Sequence, residues 1–349
     1  MFNPERLELA RKRRRYTAKI LAEKAGIAPV TLSRIVNRQQ VPDETTINAL
    51  VSALDYPRPF FMRDDLDSVD AGAASFRSLT GMSARERDAA LAAGSLAFEV
   101  MDWIKERFTL PESDILDLGH ERDPMSAARM LRQYWSIGEK PIGHMVKLLE
   151  SKGVRVFSLA EDTKNVDAFS YWRNGEPFVF LNTFKSTERS RFDAAHELGH
   201  LVLHRHGGPS GREAETEANA FASAFLMPHA DLISTIPYVN SVDQIVRAKK
   251  RWGVAAVALA YRLNRLGLMT EWQYVQVNRH YRTCEPDGLL PERSSIWQMV
   301  LQELWKEGLS RGGLAARLNI PESELENLLF GLTADTARPA RVTPKLKTV

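Results

Sequence analysis

Cysteine is almost absent from this chain. Cys284 stands alone in 349 residues, so no intramolecular disulfide can form. Long apolar runs are missing too: no stretch suffices for the core of a signal peptide or for a membrane span. Together these absences predict a protein of the reducing cytoplasm, with no membrane partner. A strong net charge is also lacking, and the formal +3 names no class of partner by itself. A composition of 44% hydrophobic and 26% charged residues predicts globular structure away from the ends, and the length leaves room for two or three domains. The charge that is present is unevenly placed. Residues 1–41 carry Arg6, Arg11, Lys12, Arg13, Arg14, Arg15, Lys19, Lys24, Arg34 and Arg38 against only Glu5, Glu8 and Glu23.

The most informative pattern is H-E-L-G-H at His196, Glu197 and His200, inside the apolar run from Ala194 to Leu203. One helical turn separates the two imidazoles, so both leave the same face toward a single metal ion, and the glutamate beside them can reach a water there. This is the arrangement of zinc-assisted hydrolysis. Zinc in a catalytic site takes three protein ligands and leaves a fourth position open. Downstream, Glu213, Glu215 and Glu217 open a helix that runs to Met227. Glu217 shares a face with Phe221 and Ala224, which predicts that it turns inward as the third ligand; Glu213, one turn earlier, and Glu215 stay open as alternatives. A competing set would use His206, six residues past His200, with His204 at the next turn. Leu203 argues against it, because it holds the position where such sites need a glycine to break the helix. His229 and His280 have a weaker claim to the site, and Cys284 is expected to be an inert buried thiol.

The basic amino-terminal segment reads as a helix-turn-helix. Leu7, Leu9 and Ala10 begin a first helix. Thr17 caps a second with Ile20, Leu21 and Ala25 inward; Gly26 turns; Pro29 opens a third with Leu32, Ile35 and Val36 inward. A further apolar piece from Thr46 to Leu54 closes the bundle. Thr17 to Arg38 resembles the XRE, phage repressor-like family, with L-A-E-K-A-G-I followed by T-L-S-R-I; Ala18 and Ala28 depart from its usual glutamine and serine. The resemblance implies double-stranded DNA as a partner, a recognition helix in the major groove, and homodimers on paired half-sites. Val30, Thr31 and Arg34 are then the candidates for base edges, and Lys19, Asn37 and Arg38 for phosphates.

Residues 64–75 turn acidic and then small, as a linker would. Helical spacing follows at Ser83–Arg107, Asp123–Tyr134 and Ile142–Lys152. The period then changes: Val154–Phe157, Phe169–Trp172 and Phe178–Leu181 read as short strands, with Asn174-Gly175 as a hairpin turn and Ser186 or Thr187 as cap of the His196 helix. This order is that of compact metallopeptidases, whose sheet edge can hold an extended peptide.

The stretches A-H-E-L-G-H-L-V-L-H and E-x-E-A-N-A-F-A-S-A-F-L-M-P closely resemble the ImmA/IrrE family of zinc endopeptidases, over roughly Phe76 to Tyr281. The resemblance implies zinc on His196, His200 and Glu217, Glu197 as general base, and a substrate that is often itself a helix-turn-helix repressor. A pattern related to Thr17–Ile35 recurs from Leu309 to Leu328, but Glu322, Glu324 and Glu326 replace basic residues on its second helix, so it would repel phosphate. It reads either as a protein-contact module or as a helical cap.

The expected protein is α+β and mainly helical. Its parts are an all-α helix-turn-helix domain (1–63), a linker (64–75), a zincin-like helical domain with a small β-sheet (76–285), a C-terminal helical module (290–332) and a basic tail (333–349). The expected function is DNA-binding regulation coupled to cleavage of a partner protein. The alternative is a transcriptional regulator or antitoxin-like repressor whose peptidase-like domain senses or binds a partner without proteolysis.

Overall fold

Residues 1–70, 75–76, 82–159, 168–207, 211–283 and 288–333 are described by the computed structural model. The amino-terminal helices are α1 (Pro4–Arg13), α2 (Ala18–Ala25), α3 (Pro29–Val36) and α4 (Glu44–Leu54). Each start has its local cause. Asn3, Thr17 and Asp43 accept amide hydrogen bonds as caps of α1, α2 and α4, while α3 relies on Pro29 at its first turn and has no side-chain cap at Ala28. Gly26 closes α2 at φ +64, the left-handed conformation that a two-helix turn of this kind requires. Leu7, Leu21, Leu32, Ile35, Leu50 and Leu54 are fully or almost fully buried together with Tyr56 and with Phe60 and Phe61, which lie on a short 3-10 turn.

The second unit begins with β1 (Ser75–Phe76) and the long α5 (Ala84–Lys105), which Ser83 and Glu86 open as a reciprocal capping box. Then come α6 (Pro124–Tyr134), α7 (Met145–Ser151), β2 (Arg155–Leu159), β3 (Ala168–Arg173), β4 (Glu176–Asn182), α8 (Thr187–Leu203) and α9 (Arg212–Leu226). The sheet order is β1-β3-β4-β2, with β2 parallel to β4 and the other pairs antiparallel. Asn174 and Gly175 both have positive φ, which gives the tight turn between β3 and β4 its twist. Phe157, Phe169, Phe178 and Phe180 are fully buried and stack across one face of the sheet, which α5 covers, while α8 lies on the opposite face with Ser170. Helices α10 (His229–Thr235), α11 (Val242–Trp252), α12 (Ala256–Arg265) and α13 (Glu271–Tyr281) complete this unit.

The carboxyl-terminal helices are α14 (Ser295–Lys306), α15 (Arg311–Leu318) and α16 (Glu322–Leu329), with Asn319 left-handed where the amino-terminal unit has Gly26. They join the other two units. Leu325, Leu328 and Leu329 are buried where α16 packs on β2, and the Trp297 indole donates to the Val156 carbonyl at 2.7 Å. On its other side, Glu324 accepts from Arg13 at 2.7 Å and from Arg14 at 3.4 Å. The acidic helix therefore answers the basic run of α1 within one chain. The acidic part of residues 64–75 is also held: Asp64 and Asp65 accept from Arg6 and Asn3, and Asp67 accepts from Arg173 at 2.9 Å. Thr333 is buried, and its carbonyl accepts from Arg293. The remainder of the tail, Cys284 and residues 71–74 lie outside the described residues.

Candidate metal centre

Helix α8 is buried along nearly its whole length because the sheet covers one side and α9 the other. Its first half is anchored by Arg191, whose guanidinium donates to the carbonyls of Ile142 at 2.7 Å and Gly253 at 3.0 Å and pairs with Glu292. Gly253 is required there, since a Cβ would come within 2.6 Å of the Arg191 Nε. Further along, Gly199 lets α9 approach: an added Cβ would lie 3.1 Å from Phe221 Cδ1 and 3.3 Å from the Ala218 Cα. The glycine of H-E-L-G-H thus seats the Ala218 face of α9 directly under the turn that carries the histidines.

That seating decides which carboxylate meets them. Residues on either flank of Ala218 reach different groups. Glu215 extends one oxygen to 3.3 Å from His196 Nε2 and the other to 3.3 Å from His200 Nε2, and the two imidazole nitrogens stand 3.1 Å apart. Glu217 leaves from the opposite flank and its Oε2 lies 2.9 Å from His204 Nε2. The expected third ligand is therefore displaced: the carboxylate that joins the pair is Glu215, and Glu217 is held by His204. The sequence argument took Glu217 inward with Phe221, but the line of closest approach to Gly199 runs through both Ala218 and Phe221, and Glu215 and Glu217 lie on its two flanks. Glu213 is exposed. His206 is 72% exposed and pairs with Asp117, and His280 is exposed and bonds the Gln276 carbonyl, so neither converges here. His229 is exposed as well.

The donors fit a metal ion. Tetrahedral bonds of about 2.0–2.1 Å place ligand atoms roughly 3.3–3.4 Å apart, close to the observed separations. The hydrogen bonds behind the imidazoles point the same way. A carboxylate only accepts, so His204 Nε2 donates to Glu217; His204 Nδ1 then accepts from His200 Nδ1 at 2.9 Å, which leaves the His200 Nε2 lone pair facing inward. Burial, the largest influence, lowers the His204 pKa and favours the neutral ring that this relay uses. His196 Nδ1 likewise meets Asn219 Oδ1 at 3.1 Å, which turns its Nε2 lone pair inward. Two lone pairs and a carboxylate facing one another repel unless a cation lies among them. In the metal-free protein, protons on the imidazoles take the place of that cation: burial alone would raise the Glu215 carboxyl, but hydrogen bonds from His196 and His200 and their charge outweigh it and hold it down to about 2. His196, His200 and Glu215 form the possible metal-holding group among the described residues.

Glu197 is fully buried beside this group, and Ser170 Oγ on β3 donates to its Oε2 at 2.7 Å. Sequence reasoning missed Ser170, Asn219 and the outward role of Glu217. Asn219 had a usable signal, four residues beyond Glu215 on one helical face; Ser170 had none, because it arrives from a distant strand.

Residues 149–264 match the family model described as the IrrE N-terminal-like domain, a peptidase family, and residues 7–61 match the helix-turn-helix model. This chain joins a helix-turn-helix domain to an IrrE-like peptidase domain. No curated protein matches it. The IrrE-like match covers α8, α9 and hence every residue of the metal group.

On the helix-turn-helix domain, the six residues expected at DNA lie on or beside α3 or at the start of α2. Val30 is 61% exposed, and Arg34, Asn37, Arg38 and Lys19 are exposed, with Thr31 half-buried. Arg38 is 3.6 Å from Glu5 and 4.0 Å from Asp65, so it shares its charge with its own domain. Asn37 bonds Ser33, and Lys19 stands 4.0 Å from Glu23. The arginines of α1 are engaged elsewhere: Arg6 with Glu99, Arg11 with Glu8, and Arg13 and Arg14 with Glu324. No helix among the described residues is long and apolar enough to cross a membrane.

Proposed function

We propose that this chain is a DNA-binding regulator whose IrrE-like domain is a zinc-dependent endopeptidase cleaving a partner protein, a helix-turn-helix repressor being the substrate class expected. The observation that carries the reading is the convergence of His196, His200 and Glu215 at separations suited to one tetrahedral ion, with Glu197 buried beside them. Zinc held there would supply a Lewis acid that activates water and polarises the scissile carbonyl. Glu197 takes the proton of the attacking water and returns it to the leaving amine. Ser170 orients the Glu197 carboxylate through its hydroxyl. Asn219 and the Glu217–His204 relay keep both imidazoles in the tautomer that presents Nε2. An extended substrate is expected beside β3 in the place that the chain's own Ser75–Phe76 holds by antiparallel pairing with Ser170 and Phe169, so that segment would have to give way to it. The helix-turn-helix domain brings the enzyme to DNA as a homodimer through Val30, Thr31 and Arg34 at bases and Lys19, Asn37 and Arg38 at phosphates, within the cytoplasm.

The test compares wild type, Glu197→Gln and His196→Ala for zinc content and for new peptide termini generated in a proteome-derived peptide library. About one zinc per chain is expected in wild type and Glu197→Gln and none in His196→Ala, with termini made by wild type alone. Identical termini from wild type and Glu197→Gln would overturn the mechanism. Zinc binding and DNA binding without any cleavage would favour the regulator whose peptidase-like domain only senses a partner.

A further inference from the structure

Behind the metal centre lies a cavity of about 810 Å³ between α8, α9, α12 and α13. Its charge is one-sided. Arg189, Arg262, Arg265, Arg282 and Lys185 line it against Glu188 and Asp193. Both acids are already answered, Glu188 by Lys249 at 3.0 Å and Asp193 by Lys185 at 3.6 Å. The decisive residue is Arg262. It is 7% exposed, its Nε has no hydrogen-bond partner, and its Nη1 meets the thioether of Met125 at 3.3 Å, a poor substitute for an anion. Burial lowers its pKa, and the charge of Asp123 offsets this only in part. A guanidinium taken out of water without an anion is strongly unfavourable, so the position asks for one from outside. The rest of the wall is apolar or aromatic, with Phe192, Val257, Leu266 and Tyr274, and Glu188 Oε2 offers an acceptor without a partner of its own.

We propose that this cavity binds a small organic carboxylate, its anion on Arg262, its apolar body against Phe192 and Leu266, and a hydrogen donor toward Glu188. The volume is that of a small-molecule pocket and exceeds what one side chain fills. It is distinct from the metal group: His196, Glu197, His200 and Glu215 do not line it, and the two meet at Asn219. Asn219 touches His196 at Nδ1, on the side of the ring turned away from the metal donors. A ligand here therefore acts on a metal-binding imidazole from behind and does not compete for the ion.

The full chain is titrated with 8-anilinonaphthalene-1-sulfonate, an anionic aromatic probe, and with its neutral analogue N-phenyl-1-naphthylamine. Arg262→Met should weaken the anion at least tenfold and leave the neutral probe unchanged, while Arg262→Lys keeps most of the affinity. Without ligand, Arg262→Met should melt no lower than wild type, because the arginine has no ion pair to lose among the described residues and only a thioether contact to Met125. Equal affinity of wild type and Arg262→Met for the anion, or a large loss of stability in Arg262→Met, would overturn the assignment. Displacement of the probe by benzoate supports a free small-molecule ligand. Displacement only by a capped peptide containing glutamate would transfer the pocket to an acidic substrate side chain and overturn the small-molecule reading, and displacement by neither removes the carboxylate. Glu197→Gln should bind the probe like wild type, so this outcome does not depend on proteolysis.

Discussion

Glu215 and Glu217 are two residues apart on one helix, yet they do different work because Ala218 lies against Gly199 between their directions. Replacing each by glutamine separates the roles. Glu215→Gln removes a direct donor and should lower zinc affinity by well over about 100-fold, whereas Glu217→Gln loosens only the His204–His200 relay and should cost on the order of 10-fold. Competition with a chromogenic chelator measures both, and the reverse ranking would return Glu217 to the ligand set. The same carboxylate gives the metal-free protein a pH signature. The Glu215 pKa falls from an ordinary 4.5 to about 2 on folding. A carboxyl lowered in this way adds stability that is fully present above 4.5 and is lost as pH falls toward 2. Urea midpoints of metal-free wild type and Glu215→Gln should therefore converge as the pH is lowered through that window. A constant difference would show that the imidazoles do not hold the charge.

Helix ends and helix faces join the parts of the molecule. Glu150, at the end of α7, accepts from Ser294, Ser295 and Ile296 at the start of α14, while Glu292 accepts from the first amides of α7 and pairs with Arg191 of α8. Each carboxylate satisfies amides that a helix start leaves unpaired; Glu150 ties α7 to α14, and Glu292 ties the segment before α14 to α7 and α8. Helix α16 carries the tie further. Glu324 is 1% exposed and is paired with Arg13 at the end of α1 and with Arg14, which follows it. Burial, and then the Glu324 charge, push the Tyr56 hydroxyl well above its ordinary pKa, which keeps it neutral beside this cluster. Glu324→Ala leaves a buried cation without its carboxylate and should destabilise the chain by on the order of 3 kcal/mol. Denaturant melts measure this, and a change under about 0.5 kcal/mol would show that α16 is a surface cap.

At the scale of the whole molecule, the helix-turn-helix surface and the metal centre use different residues and different elements. The two activities should therefore separate. Arg34→Ala, which removes an exposed guanidinium from α3, should weaken operator binding by about 1–3 kcal/mol and leave zinc content and cleavage unchanged. Glu197→Gln should abolish cleavage and leave operator binding and zinc content unchanged. Fluorescence anisotropy on the operator, run beside the cleavage assay, tests both, and loss of cleavage in Arg34→Ala would show that the domains act as one unit. Their physical connection is through Arg6 and Arg63 to Glu99 of α5 and through Glu324, which is a route for such coupling if it exists.

Local pattern alone determined much of this protein. The spacing of apolar residues with Asn, Ser, Thr and Asp caps placed the helices, and the change of period with Asn174-Gly175 placed the hairpin, because helix starts and tight turns are decided within a few residues. The one-turn spacing of His196 and His200 likewise put both imidazoles on one face without any tertiary information. Tertiary structure decided the rest. Which of three glutamates meets the histidines depends on how α9 rotates against Gly199, and a helix sequence does not state its rotation about its own axis. Ser170 comes to Glu197 across 27 positions of chain, Glu324 comes to Arg13 across 311, and Arg262 is left buried without an anion only because α12 packs where it does. Contacts of that span are products of packing, which no local spacing records.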